Sequence, residues 1–173
     1  MEIIRTDPET LAIRGINAFA ASLLRRIPFE ADPGGDAAAR ARLYTKPTQT
    51  GQGRHAKELN EEWAQYVEPE LRHLFQTANE TVFEDLKQIH KTGREHDDHN
   101  EETYEMVIPV VHIEQWLNTL NQARLVMAAR NGFTDEELES DFPMVINSTR
   151  EMNLFQIHFY GNLQAFLIQE IER

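Results

Sequence analysis

Along most of this chain the apolar residues recur at three- and four-residue spacing, the mark of helices that bury one face. The first such stripe is Ile16, Phe19, Ala20, Leu23 and Ile27. It predicts a helix opening at Thr6-Asp7-Pro8-Glu9, where a cap, a first-turn proline and an acid coincide, and ending before Pro28. Arg25 and Arg26 would then occupy its last turn, where cations suit the helix dipole. Met1 to Arg5, apolar and β-branched in the middle, predicts a brief strand before it.

Residues 29–56 carry turn formers, Asp32-Pro33-Gly34-Gly35 and Lys46-Pro47 to Gly53, and read as a surface connection with a short helical turn from Asp36 to Tyr44. Helical spacing returns at Lys57 and runs through Leu59, Trp63, Tyr66, Leu71, Phe75, Val82 and Ile89. Pro69 falls inside this run, which predicts a kink or a second helix starting at Glu68 or Pro69. Residues 93–103 have no apolar side chain and read as an exposed loop. Tyr104 to Pro109 is strand-like and is expected to pair with Glu2 to Arg5.

Ile113, Trp116, Leu117, Leu120, Ala123 and Met127 predict another helix, stopped by Asn131-Gly132. Thr134-Asp-Glu-Glu137 and Ser148-Thr-Arg-Glu151 both read as capping boxes. The helix after Ser148 is apolar over much of its circumference, which predicts either a buried central helix or a dimer seam. The expected architecture is one mainly helical domain over residues 1–173. It is a compact bundle of five to six helices with a minor two-stranded β ribbon, and its flexible segments lie at 29–56 and 93–103.

The 173 residues include 17 Lys and Arg against 29 Asp and Glu, a formal charge of −12 that repels a phosphate backbone at long range. Nucleic acid is a poor partner on that ground. With no cysteine, disulfides, thiolate nucleophiles and thiolate metal sites all drop out. No apolar run nears the roughly 18 residues of a membrane span, and Met1-Glu-Ile-Ile-Arg lacks the basic end of a signal peptide, so a cytoplasmic protein is expected.

Few constellations carry chemistry. Glu95-His96-Asp97-Asp98-His99-Asn100-Glu101-Glu102 holds metal-ligating types, but ligands this close on a loop do not preorganise a cage, and a solvated acidic loop is the expectation. Glu70-Leu-Arg-His73 has the spacing of a diiron helix, yet no second such motif exists. Ser22, Ser140 and Ser148 lie in no nucleophile elbow, and phosphate-loop and zinc-protease motifs are missing from the chain. No metal and no cofactor is therefore expected.

Two basic features remain. Arg40, Arg42, Lys46, Arg54 and Lys57 form a stretch that could hold an anion or pair with the protein's own acids. Arg124 falls on the apolar stripe of Trp116, Leu117, Leu120 and Met127, where a charge is costly unless partnered. A carboxylate or carbonyl partner is expected for it, with Asn121 one turn earlier as a helper, in a structural or a ligand-binding role.

The segment Ile108 to Phe133 resembles the signature of an uncharacterised, mainly actinobacterial family of unknown function, in its Trp116-Leu117, Leu120-Asn121-x-x-Arg124-Leu125 and Arg130-Asn-Gly132-Phe133 elements. Arg42-Leu43-Tyr44-Thr-Lys-Pro47 resembles an earlier element of the same family, one residue longer here. Met127-Ala128-Ala129 departs from the family's Leu-Gly-Thr-like run. Members are often encoded beside the adaptor that feeds the Clp protease, so the resemblance implies regulated proteolysis or another protein-binding task. The reading reached is a protein-interaction or regulatory module with an unidentified protein partner, and its candidate binding residues are Arg42, Tyr44, Trp116, Asn121 and Arg124. The alternative is a hydrolytic or ligand-processing enzyme with an arginine-centred cleft.

Overall fold

The computed structural model describes residues 1–48, 53–92, 102–140 and 145–172. The acidic and histidine-rich cluster at 95–102 lies outside the described residues except for Glu102. β1 (Glu2–Asp7) and β2 (Thr10–Asn17) form a hairpin, followed by α1 (Ala18–Ala31) and α2 (Ala37–Leu43). α3 (Arg54–Glu62) runs through a π-helical turn at Trp63–Val67 into α4 (Glu68–Leu86). The short β3 (His90–Lys91) precedes β4 (Thr103–Pro109), a 3-10 turn at Val110–His112, α5 (Ile113–Asn131), α6 (Asp135–Glu139) and α7 (Thr149–Glu172).

The expected two-stranded ribbon is in fact a four-stranded antiparallel sheet of order β1-β2-β4-β3. β4 does not pair with Glu2 to Arg5. β2 lies between them, with Leu11 opposite Ile108 and Ile13 opposite Met106. The expected first helix therefore begins ten residues late, and two local features account for it. Asp7 Oδ1 accepts from Glu9 N at 2.8 Å, so Thr6-Asp-Pro-Glu makes a hairpin turn with the residues that could cap a helix. A bulge at Arg14-Gly15, with Gly15 at φ +63°, then puts Ile13 and Ile16 on the same side at helical spacing. The true cap is Asn17, whose Oδ1 accepts from Ala20 N.

Pro28 lies inside α1, so the helix passes the expected stop and Arg25 and Arg26 are not in its last turn. Pro69 does begin a helix, in the first turn of α4, where its missing N–H costs little; the π turn before it keeps the rod continuous. Counting α3, that turn and α4 as one rod leaves six helical bodies among the described residues. None of them is long and apolar enough to cross a membrane.

The hub of the bundle is α5, which packs on α1, α2, α4 and α7. The expected central helix, α7, instead lies at the side and leaves Phe166, Ile168 and Ile171 exposed. One core joins the sheet face of Leu11, Ile13, Ile16, Met106 and Ile108 to Leu24, Ile27, Val82, Trp116, Leu120, Tyr160 and Leu163. Gly132 closes α5 in the left-handed conformation, and Thr134 and Glu137 form a reciprocal capping box, as the sequence predicts.

Candidate functional site

The structure does not gather the five sequence candidates into one site. Arg42 and Asn121 are exposed on α2 and α5. Trp116 is fully buried, and its Nε1 donates to Asp85 Oδ2 at 2.9 Å. Arg124 sits in the seam between α5 and α7, where Nη1 donates to Gln164 Oε1 at 2.9 Å and Gln164 Nε2 in turn donates to the carbonyl of Leu117. Its partner is thus an amide carbonyl, and its buried Nε has no hydrogen bond. Of the five, Tyr44 lines a cleft formed by described residues.

That cleft, of about 450 Å³, is built where the end of α1 and the turn after it face α2, α4 and α5. Tyr44 ends α2, and its ring stacks on Phe75 with centroids 6.1 Å apart. The Arg72 guanidinium lies 4.3 Å from the Tyr44 ring centroid and is ion-paired to Glu68 one turn back. Burial pushes the Tyr44 hydroxyl above its ordinary range, with Arg72 and Arg40 opposing the shift. The hydroxyl is therefore a neutral hydrogen-bonding group near neutral pH.

Helical spacing puts Arg72, Phe75, Gln76, Asn79 and Glu80 of α4 along one wall, and Gln122 of α5 and Asp32 of the turn close the others. Asn79 Nδ2 donates to the carbonyl of Pro28 at 2.9 Å, which fixes the amide and leaves its buried Oδ1 without a partner. Gln122 is 4% exposed, and its Nε2 is also unpartnered. Burying such an atom unpaired costs about 1–3 kcal/mol, and native proteins hold few of them.

A second polar arrangement lies at the other end of α4. Asp85, 3% exposed, receives the Trp116 bond and faces His112 Nδ1 at 3.0 and 3.1 Å. A carboxylate behind an imidazole is an acid–base arrangement in principle. Among the described residues, however, His112 has no hydroxyl partner and no three His, Cys, Asp or Glu side chains cluster as metal ligands. Its plain role is to tie α4 to the start of α5. Glu70 and His73, which share diiron spacing, are both exposed.

Sequence reasoning missed Gln122, Asn79 and Asp85. Gln122 belongs to a second buried row of α5, Thr119, Gln122 and Val126, that lies about a quarter turn from the apolar stripe and is polar at two of its three positions. The available signal was spacing: Asp85 falls three residues after Val82 and seven after Ala78 on the buried face of α4.

No curated protein and no solved structure matches the chain. One family pattern does, over residues 8–171, which covers all the elements from β2 to α7 and both polar arrangements. The chain belongs to the family described as Domain of unknown function (DUF2017).

Proposed function

We propose that this chain is a protein-interaction or regulatory module that needs no cofactor and docks its partner at the Tyr44–Arg72 cleft. What carries the reading is the cleft wall, where the Tyr44 ring stacks on Phe75 under the Arg72 guanidinium, with Gln76, Asp32 and Glu80 beside them. These are groups that recognise and orient rather than transfer atoms. The family's frequent neighbourhood with the Clp adaptor makes a component of regulated proteolysis the first partner to seek, in the cytoplasm. A second reading, a hydrolytic or ligand-processing enzyme, draws on Arg72, Asp32 and Glu80 lining the same cleft. The arginine of that cleft is Arg72 rather than Arg124.

The test is an affinity pull-down of the tagged protein from its own cell lysate at low salt, with Gln76→Trp in parallel. Gln76 is exposed at the cleft wall, so an indole there blocks the opening without entering the core. A stoichiometric partner held by the parent and lost from Gln76→Trp is the expected result. No partner at all would remove the interaction reading, and one held equally by both proteins would remove the cleft from it.

A further inference from the structure

The rod of α3, the π turn and α4 carries an apolar row that the bundle does not use. Leu59, Trp63, Val67, Leu71 and Leu74 recur every three or four residues, yet none of them belongs to either hydrophobic core. Val67 is 43% exposed and Leu74 51%, and α3 and the π turn have no buried residue. α3 is tied to the segment after α2 by polar bonds: Asn60 Nδ2 donates to the Thr48 carbonyl at 3.2 Å, and Asn60 Oδ1 accepts from Thr48 N at 3.3 Å. The residues that follow Thr48, Gln-Thr-Gly-Gln, bring no apolar side chain to the row.

The backbone keeps this row straight. A four-residue step overshoots one turn of α-helix by about 40°, so the steps from Leu59 to Leu71 would carry the row roughly a third of the way round the rod. The π turn at Trp63–Val67 is wider than an α turn and takes back part of that drift. The result is an apolar ridge of roughly 22 Å, about four turns, of the kind that seats a second helix. The ridge offers no backbone groups, because a helix bonds its own, so an extended chain would gain only side-chain contact from it.

Charge decides what kind of helix fits. Glu62 lies three residues after Leu59 and four before Tyr66, and Glu70 lies three after Val67 and four before Leu74, so both border the ridge. Both are exposed, and neither is ion-paired among the described residues. Lys57 and Glu61, two residues either side of Leu59 and so off the ridge, pair with each other, as Arg54 does with Glu58. A bilayer with anionic headgroups would be repelled by this border and by the formal charge of −12. A second copy docked about a two-fold axis would set the acids of one ridge against those of the other.

We infer that the ridge from Leu59 to Leu74 docks an amphipathic helix of a partner protein whose apolar stripe is bordered by Lys or Arg. The partner's apolar residues cover Trp63, Val67 and Leu74, and its cations meet Glu62 and Glu70. Leu74 and Gln76 are two residues apart, so the ridge is on another face of the rod from the Tyr44–Arg72 cleft and does not depend on that reading.

The experiment reads tryptophan emission in the full chain, because Trp63 sits in the ridge while Trp116 is fully buried and contributes a constant signal. The probe is a capped peptide of two Leu-Lys-Lys-Leu-Leu-Lys-Leu repeats. The comparisons are the same peptide with Glu for Lys, the Lys peptide scrambled so that it has no helical apolar face, and phosphatidylserine vesicles. The expected result is a saturable shift to shorter wavelength by the Lys peptide, absent in Trp63→Phe, with the Glu and scrambled peptides about tenfold weaker. Leu74→Gln should bind the Lys peptide about fivefold more weakly, and Glu62→Lys with Glu70→Lys should reverse the preference between Lys and Glu peptides. These three positions are exposed, and the parent's response to the peptides carries the test if a variant does not fold. No shift, equal binding of the Glu or scrambled peptide, or an unreversed preference would each overturn the inference. So would vesicles that move the emission as the peptide does, which makes the occupant a bilayer, or a shift with protein concentration alone, which makes it a second copy. Gln76→Trp should bind the Lys peptide as the parent does by calorimetry; loss there would put the peptide in the cleft and overturn the ridge. If the pull-down yields no partner while the peptides behave as expected, the cleft reading falls and the ridge stands.

Discussion

The guanidinium of Arg124 lies flat enough against α7 that a Cβ on Gly161 would come within 3.3 Å of both Cζ and Nε. A glycine inside a helix costs about 1 kcal/mol relative to alanine, so Gly161 is explained by what it makes room for. Arg124 is pinned by its bond to Gln164 and cannot retreat without losing it. Gly161→Ala should therefore gain less than about half of the usual 1 kcal/mol, and the gain should return in an Arg124→Met background. Urea unfolding of the four proteins reads this directly. Equal shifts in both backgrounds would mean that the two residues do not restrain one another.

Gly15 offers a second check and explains why the first helix was misplaced. Its φ of +63° turns β2 through a bulge, and an L side chain in that conformation costs about 1–2 kcal/mol. Gly15→Val should be destabilising by that order, and Gly15→Asn by less, because asparagine tolerates left-handed backbone. Both are measured by thermal or urea unfolding. A neutral Gly15→Val would show that the bulge is not a fixed feature of the hairpin.

The same bulge marks the boundary between what sequence can and cannot disclose here. Gly132, the Thr134 box and the stripe of α5 were legible because each is a local rule read within one turn of helix. β2 was hidden because its alternation is broken at Arg14-Gly15, which moves the buried residues from a period of two to a spacing of three. The cleft was hidden for another reason. Residues 31–34, 44, 72–80 and 122 meet only through the packing of α1, α2 and α4 around α5, and its key side chains are amides with no signature spacing.

Glu137 gives the pH-dependent prediction. The Thr134 backbone N–H, and then Arg150, stabilise its carboxylate and hold it below the ordinary glutamate value of 4.5. Arg150 Nη1 also donates to the Asn131 carbonyl, and its guanidinium lies 4.3 Å from the Phe133 ring centroid, joining the end of α5 to α6 and α7. A depressed carboxylate contributes stability that is fully present above its unfolded pKa and is lost as pH falls through the folded value. The melting advantage of the parent over Glu137→Gln should thus be constant from neutrality to about pH 5 and shrink in the acid range below the ordinary glutamate pKa. An advantage unchanged down to pH 3 would show that charge on Glu137 contributes nothing.

Asp85 provides the last. It is the shared acceptor of a fully buried indole N–H and a partly exposed imidazole, so removing it strands a donor in the core, whereas removing His112 strands only a carboxylate that keeps its indole partner. Asp85→Ala should cost about 2–4 kcal/mol, because a buried Trp116 N–H loses the carboxylate that accepts from it and a cavity is left beside it. Asp85→Asn, which retains a carbonyl oxygen for Trp116, should cost less, and His112→Ala less than Asp85→Ala. Urea unfolding followed by tryptophan emission in a Trp63→Phe background isolates Trp116 as the reporter, and its emission should move to longer wavelength in folded Asp85→Ala. If His112→Ala cost as much as Asp85→Ala, the histidine and not the indole would be what Asp85 is buried to hold, and the acid–base reading of that pair would deserve the enzymatic assays that the indole bond now argues against.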